Sequence, residues 1–333
     1  MFSERLAPIR NFLSLTFLFL ATIADASPRV ETIGMTVSNL PNAVAFYTNV
    51  LKFEKISETD FLGKDTDAHF GIFGVHTRVA CLKLGDESIE LIEFLTPSGR
   101  PIPADSRSND LWFQHIAIVV SDIDKAYAQL QKSGVKEISV GPQTLPTWNR
   151  AAGGIKAFYF QDPDHHNLEL IFFPPAKGLA KWHEAKGKLF LGIDHTAIAV
   201  SNTERSLHFY RDQIGMHVAG NSENWGIEQE RLNHVFGAHL IITALRGEAG
   251  PGVEFLQYLT PRDGRNFPAD SHANDLWHWQ IHIGIKGLKT LLSKWGKELS
   301  IISLTPENST MSELPSVLIR DPDGHVLELG DEH

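Results

Sequence analysis

The chain has 333 residues, of which 42% are hydrophobic and 21% charged, and its formal net charge is −10 at pH 7. This apolar content excludes an intrinsically disordered chain, and the length suffices for two domains of about 150 residues each. The acidic balance, without a stripe of basic residues, argues against nucleic acid as a partner. The single cysteine, Cys81, cannot form an internal disulfide, and its apolar neighbours predict a buried thiol.

The N-terminal segment has the features of an export signal. Arg5 and Arg10 precede the apolar run FLSLTFLFLATIA at 12–24, and ADA then gives a small-x-small cleavage pattern. The run is too short for a comfortable transmembrane helix, although an uncleaved anchor is the alternative. We therefore expect residues 1–26 to be a cleaved signal peptide. The mature protein would be periplasmic or secreted and would not associate with a membrane.

The sequence contains the same loop twice. IPADSRSNDLW at 102–112 recurs as FPADSHANDLW at 267–277, with eight of eleven positions identical. Similar segments precede both loops (IELIEFLTP and VEFLQYLTP) and follow them (YFQDPDHHNLELI and LIRDPDGHVLELG). The chain is therefore predicted to contain two homologous copies, residues 30–175 and 190–331. A linker at 174–189, rich in Pro, Gly and Lys, joins them.

Each copy also divides into two similar halves. IGMTVSNLPNAVAFYTNVLKF (33–53) and IAIVVSDIDKAYAQLQKSGV (116–135) both predict an apolar strand, a Ser-Asn or Ser-Asp helix cap and an amphipathic helix. Alternating strands follow in each half. Because one such unit cannot bury its open sheet face alone, two units are expected to pair and curl into a cup. The four predicted strand–helix–strand–strand–strand units are 30–97, 111–175, 190–261 and 276–331.

Paired units of this kind, with FY in the helix, DPDGH before the last strand and EL within it, resemble the vicinal oxygen chelate superfamily. That superfamily includes glyoxalase I, bleomycin resistance proteins and extradiol dioxygenases, and the resemblance covers essentially all of residues 30–330. It implies an α+β fold in which four βαβββ units form two glyoxalase-like domains with cupped mixed β-sheets. It implies function less closely, because this fold hosts several chemistries and some non-catalytic binders.

The resemblance also implies a divalent metal ion in a cup, held by inward-facing residues of the first and last strands. His and carboxylate ligands suit zinc, nickel, iron or manganese, and the protein would hold one or two such ions. Glu169 and Glu254 are also the candidates for a catalytic base. By pattern, the first-strand positions are Thr32, His115, His195 and Gln280, and the last-strand positions are Glu90, Glu169, Glu254 and Glu328. Thr32 is at best a weak ligand.

The sequence leaves open which units pair. Sequential pairing gives two cups with one first-strand His each: Thr32, Glu90, His115 and Glu169 in one, and His195, Glu254, Gln280 and Glu328 in the other. Pairing of the two middle units instead combines both His residues in a set that looks like that of bacterial glyoxalase I: His115, Glu169, His195 and Glu254. The remaining cup would then look degenerate.

The leading hypothesis from the resemblance is an exported, metal-dependent lyase or isomerase of the glyoxalase type. It would act on a small molecule with adjacent oxygens, through an enolate-like intermediate that the metal stabilises. Arg150, in a glycine-containing loop at 147–160, is a candidate to bind an anionic substrate. We expect a monomer or a homodimer.

Two other functions remain open. The first is an Fe(II)-dependent extradiol-type dioxygenase acting on a phenolic substrate, which needs two His and one carboxylate on iron. Sequential pairing does not supply that set, although His278 and His282 share the strand face of Gln280 and could substitute. The second is a non-catalytic protein that binds a small molecule, as the resistance proteins do.

Overall fold

The computed structural model describes residues 28–307, 309–310 and 315–331. The signal peptide predicted for residues 1–26 lies outside these residues. Within the described part of the chain, no helix is long and apolar enough to cross a membrane.

Four similar units follow one another along the chain. The first contains β1 (Arg29–Val37), α1 (Leu40–Asn49), β2 (Glu54–Leu62), α2 (Lys64–Phe70), β3 (His76–Leu84) and β4 (Glu87–Thr96). The second contains β5 (Gln114–Val120), α3 (Ile123–Lys132), the short strands β6 (Lys136–Glu137) and β7 (Gln143–Thr144), β8 (Lys156–Gln161) and β9 (Asn167–Phe172).

The third unit contains β10 (Phe190–Ala199), α4 (Thr203–Leu207) with a π-helical continuation (His208–Gln213), β11 (His217–Trp225), α5 (Ile227–Asn233), β12 (His239–Arg246) and β13 (Gly252–Thr260). The fourth contains β14 (Trp279–Ile285), α6 (Leu288–Trp295), β15 (Ser300–Thr305), β16 (Ser316–Arg320) and β17 (Val326–Asp331). The predicted α+β class is confirmed.

The two middle units pair with each other, which resolves the alternative that the sequence left open. One sheet has the order β11-β12-β13-β10-β5-β9-β8-β6, with β7 beside β8, and the other has the order β15-β16-β17-β14-β1-β4-β3-β2. The central contacts are antiparallel, β10 against β5 and β1 against β14. We call the cup of the second and third units the middle cup, and that of the first and fourth units the outer cup.

The hydrophobic cores follow the sequence copies rather than the cups. Along β5, Ile116, Ile118 and Val120 face a core that also contains Tyr47 of α1 and strand residues of both sheets. The intervening residues of β5 face the middle cup, since successive side chains in a strand point to opposite faces. An equivalent core belongs to the second copy. The first copy therefore packs α1 and α3, and the second packs α4 and α6, between the sheets, while each sheet is shared between the copies.

The predicted helix caps are present in three of the four units. The side chains of Asn39, Asp122 and Asn202 accept hydrogen bonds from backbone N–H groups three residues further on, at 2.9–3.0 Å. Such a bond satisfies one of the N–H groups that a helix leaves unpaired at its start. The Ser-Asn and Ser-Asp pairs of the sequence therefore fix where these helices begin.

The repeated loops form a reciprocal clasp between the copies. Asp110 of the first loop accepts bonds from Arg265, at 3.0 Å from Nε and 2.7 Å from the terminal nitrogen. Asp275 of the second loop accepts the matching bonds from Arg100, at 2.9 and 2.7 Å. Each guanidinium also lies 4.6–4.7 Å from the ring of the repeated tryptophan in the loop that it contacts. Planar bidentate pairs of this kind are strong and orientation-specific, so the loop recurs because each copy binds the other through it.

Candidate metal centre in the middle cup

Strand register brings the predicted ligands of the middle units together. Glu169 on β9 lies beside Ala117 of β5, two residues beyond His115. Glu254 on β13 lies beside Ala197 of β10, two residues beyond His195. Because residues two apart share a face of a strand, all four side chains project into the same cup.

Three of these side chains converge closely enough to hold one ion. The ligand atoms of His115, Glu169 and His195 lie within 4.8 Å of one another, and all three residues are buried. Nε2 of His115 is 3.0 Å, and Nε2 of His195 is 3.6 Å, from Oε2 of Glu169. Glu254 is the outlying member, with Oε1 3.6 Å from Nε2 of His195. The structure thus groups four of the predicted residues in one place.

Buried histidine nitrogens that lack a hydrogen-bond partner indicate that this cluster can bind a metal ion. Both ring nitrogens of His115 and Nε2 of His195 are buried without a hydrogen bond, despite the nearby carboxylate oxygens. A buried polar atom without a partner is costly, whereas neutral imidazole nitrogens and carboxylates are the usual protein ligands of zinc and related ions. The donor set therefore suits a divalent cation.

A β-bulge supplies a residue that orients His195. The pairing of β10 with β5 shifts between Ile193 and His195, and Asp194 is the extra residue. Oδ2 of Asp194 lies 3.0 Å from Nδ1 of His195, which leaves Nε2 directed at the cluster. A carboxylate behind a metal-binding histidine fixes its ring and raises its basicity.

Asp194 is itself firmly held. It accepts hydrogen bonds from Trp182 Nε1 at 2.7 Å and from Arg246 at 2.8 Å. Burial alone would raise the pKa of Asp194, but the bonds and charges of its neighbours, His195 foremost, lower it to about 2. Trp182 belongs to the predicted linker at 174–189, so the linker also supports the site. Sequence reasoning missed Asp194, and its only signal is an acidic residue directly before a candidate ligand.

The surrounding charges favour a cation at His195. Burial acts to lower the pKa of His195, but the carboxylates of Glu254, Asp194 and Glu169 raise it to about 9. For Glu254, burial is the largest influence and raises the pKa of the carboxyl group. In the absence of metal, a proton on His195 therefore supplies the positive charge that these carboxylates stabilise.

Apolar and aromatic side chains surround the centre. The ring centroid of Tyr159 lies 4.9 Å, and that of Phe113 5.6 Å, from the ring of His115. Leu232 and Val235, within and just after α5, belong to the same buried cluster as Phe113 and Tyr159. The site consequently lies in a medium of low polarity, in which electrostatic interactions are stronger than in water.

Arg150 lies in a loop that bridges the two middle units. Its side chain is exposed. The neighbouring Asn149 donates a 2.7 Å hydrogen bond to Asn224 of β11, and Trp148 contacts Trp225 with ring centroids 3.8 Å apart. A role for Arg150 in substrate binding stays a prediction.

The remaining predicted ligands lie in the outer cup. Nε2 of Gln280 is 3.4 Å from Glu328, and Glu90 is 3.5 Å from His282. Oγ1 of Thr32 is buried without a hydrogen bond. The residues at the eight predicted positions are thus divided between the cups in two groups of four, as middle-unit pairing requires.

The outer cup contains histidines beyond the predicted positions. His282 lies 3.1 Å from Glu328, and His69, on α2, lies 3.8 Å from the same carboxylate. Sequence reasoning considered His282 only as a substitute ligand and missed His69, because a helix residue gives no strand signal. Cys81, predicted to be buried, is only partly buried and lines this cup.

Comparison with known proteins identifies the family. The family model described as "Glyoxalase/Bleomycin resistance protein/Dioxygenase superfamily" matches residues 29–170 and 192–329. A 2-epi-5-epi-valiolone epimerase from Actinomyces sp is 29% identical over 153 residues, which are 44% of this chain and 79% of that protein. Glyoxalase I from Saccharomyces cerevisiae is 30% identical over 115 residues, 34% of this chain and 31% of that protein. Glyoxalase I from Zea mays shares the fold, with a TM-score of 0.61, 17% identity and 92% of each chain covered. The chain belongs to the glyoxalase/bleomycin resistance protein/dioxygenase superfamily.

Proposed function

We propose that the middle cup binds one divalent metal ion and is the catalytic site of a glyoxalase-type lyase or isomerase. The observation that carries this proposal is the convergence of His115, Glu169 and His195 within 4.8 Å, with histidine nitrogens that have no hydrogen-bond partner. A metal bound there would act as a Lewis acid on two adjacent substrate oxygens and stabilise negative charge developing on them.

The two glutamates have separable roles in this proposal. Glu169 lies 3.0 Å from Nε2 of His115 and 3.6 Å from Nε2 of His195, so it is the central carboxylate ligand. Glu254 is more exposed than Glu169 and lies outside the group of three that converges within 4.8 Å, so it is the candidate for a base that removes a substrate proton. Burial raises the pKa of Glu254, which strengthens it as a proton acceptor. Glu169 is the second candidate for that base.

The proposed substrate is a small molecule with adjacent oxygens. The relatives include an epimerase and a glyoxalase I, which supports small-molecule chemistry of the isomerase or lyase kind for this chain. Arg150, exposed at the loop that bridges the middle units, would bind an anionic group of that substrate.

Metal analysis of the purified protein tests this proposal. We expect about one ion of zinc, nickel, iron or manganese per chain by elemental analysis, lost in both His115→Ala and His195→Ala, because both side chains belong to one centre. Gln280→Ala in the outer cup is the matched control and should retain the ion. Turnover is then assayed with hemithioacetals, hydroxy-ketones and dicarbonyl compounds. A protein that remains metal-free after reconstitution would exclude this enzyme and favour a non-catalytic small-molecule binder.

An Fe(II)-dependent dioxygenase is the second candidate, and the unit pairing favours it. Such an enzyme needs two histidines and one carboxylate on iron. Sequential pairing would not place them in one cup, whereas the observed pairing of the middle units brings His115, His195 and Glu169 together. Oxygen uptake with catechols and ferrous iron would establish this function. Turnover of dicarbonyl adducts without oxygen uptake would exclude it.

We further propose that the protein is exported and that it acts as a monomer or homodimer without nucleic acid. The charged N-terminus, the apolar run and the ADA sequence support removal of residues 1–26. N-terminal sequencing of protein from a periplasmic or extracellular fraction should begin near Ser27. Recovery of the intact N-terminus from membranes would instead indicate an uncleaved anchor.

A further inference from the structure

The outer cup encloses a cavity of about 400 Å³ that the proposed function does not use. This volume lies in the usual range for small-molecule sites. We propose that this cavity binds a small organic amine in its cationic form. The inference concerns a different cup from the candidate metal centre and does not depend on it.

The charges around the cavity select for a cation. Four carboxylates line it, and none of the described residues that line it is Lys or Arg. Among the described lining residues, the side chains that can become positively charged are two histidines, His69 and His282. Opposite charges attract more strongly in a partly enclosed site than in water, so anionic ligands are disfavoured and an ammonium group is favoured. The four carboxylates are Glu31, Glu90, Glu328 and Asp331.

A buried histidine that lines the cavity has a ring nitrogen beyond hydrogen-bond distance of the facing carboxylate. His69 is 3% exposed, and its Nδ1 lies 2.9 Å from Thr305 Oγ1. Its Nε2 lies 3.8 Å from Oε2 of Glu328, which is beyond hydrogen-bond distance. With Nδ1 donating to Thr305, Nε2 carries a lone pair that can accept from an ammonium N–H. His69 and Glu328 thus leave a gap between two acceptors that a donor can fill.

The equivalent positions of the two cups show that the outer cup is differently built. The backbone carbonyls of His69 and of Leu232, on α5, each accept a hydrogen bond from a serine hydroxyl, Ser303 and Ser139 respectively. These two residues therefore occupy matching positions at the two cups. The middle cup has an apolar side chain where the outer cup places an imidazole facing its cavity.

The carboxylate and imidazole groups of the outer cup are too far apart to converge on one metal ion, and their spacing favours a ligand of several atoms. Among the described residues, three ligand atoms come within 4.8 Å of one another only at His115, Glu169 and His195. In the outer cup, Glu328 is already bonded to Ser316 at 2.8 Å and lies 3.1 Å from His282. Phe61 and Phe70 also line the cavity, and aromatic faces attract organic cations.

Calorimetric titration with three four-carbon probes tests this inference: putrescine, butanediol and succinate, which are cationic, neutral and anionic. With EDTA present, we expect saturable binding of putrescine only. Glu90→Gln should weaken it about fivefold, which corresponds to about 1 kcal/mol for loss of one partly screened charge contact. His69→Leu, which installs the residue found at the matching position, should weaken it at least about fivefold through loss of one acceptor.

Glu254→Gln, a matched change in the middle cup, should leave putrescine binding unchanged, and thermal unfolding checks that every variant folds. Three results would overturn the inference: no saturable binding of putrescine, equal binding of butanediol, or a second manganese ion per chain that is lost in His69→Leu. Because His115→Ala should abolish the middle-cup metal without affecting putrescine, failure here is distinguishable from failure of the proposed enzyme.

Discussion

Replacement of Asp194 by Asn separates metal binding from folding at the middle cup. The carboxylate accepts from Trp182, from Arg246 and from Nδ1 of His195, at 2.7, 2.8 and 3.0 Å. Asn keeps the shape of this side chain but removes its charge and one acceptor oxygen. His195 would then be a weaker base and its ring less firmly oriented, so the metal would bind less tightly.

The expected loss is 10- to 100-fold in metal affinity, the range typical of outer carboxylates behind ligating histidines. This corresponds to about 1.4–2.7 kcal/mol. The assay is competition between the protein and a fluorescent zinc chelator of known affinity at pH 7. Asp275→Asn is the matched control, because it weakens another buried aspartate's pair with an arginine, Arg100, in the clasp and not in the metal cluster. It should lower the temperature of unfolding without changing zinc affinity.

Zinc affinity that stays within about twofold of the parent protein in Asp194→Asn would refute the reasoning, provided that the variant is folded. The observed 3.0 Å contact would then position His195 without influencing what its other nitrogen binds. A loss of zinc affinity in Asp275→Asn of similar size would refute it equally, because the effect would then follow general destabilisation.

Three further predictions concern pH, the clasp and a helix cap. Because the pKa of His195 is raised to about 9 without metal, protons should compete with zinc, and zinc affinity should rise with pH up to about 9. The same shift stabilises the metal-free protein below the ordinary pKa of His, about 6.5, and this stabilisation should disappear as pH rises through 9, which chemical denaturation at several pH values would detect. Asp110→Ala should lower the free energy of unfolding by about 2 kcal/mol, since the backbone N–H groups of Arg107 and Arg265 lose their acceptor and the clasp loses an ion pair; a loss below about 1 kcal/mol in urea denaturation would show that the clasp is dispensable. Asp122→Ala should lower the free energy of unfolding by about 1 kcal/mol through loss of the α3 N-cap. Asp124→Ala, in the first turn of the same helix but not at the N-cap, should lower it less in the same assay.

The fold was predictable from sequence because its signals are local and repeated. Two-residue alternation marks the strands, helix caps follow the first strands, and the repeated loop fixes the offset between the copies. The pairing of units was not predictable, because each unit has the same kind of open sheet face and either partner can cover it. What decides the pairing is non-local: β5 against β10 and β1 against β14, with the two crossover loops clasped to each other.

The ligand positions of the candidate site were predictable from sequence, but two residues that contribute to the cups were not. His115, Glu169 and His195 stand at fixed places in strands whose register follows from the repeat, so their convergence needed only the correct pairing of units. Asp194 was missed because strict alternation places it on the opposite face from His195, and a bulge that sequence does not announce reverses this. His69 was missed because it enters its cup from a helix.

The two cups therefore show how one duplicated architecture can hold different chemistry. Pairing of the second unit with the third puts both first-strand histidines in the middle cup. The outer cup then contains neither of them, and its residues can differ. In the outer cup, Gln280 replaces a histidine, and His69 and His282 supply imidazoles from other positions around Glu328. Because α1 and α3 pack in one core and α4 and α6 in the other, side chains within a cup can change without disturbing the packing between the sheets. The clasp of the repeated loops stabilises both cups at once, and this explains why the loop kept its sequence while the ligand position that follows it, His115 in one copy and Gln280 in the other, did not.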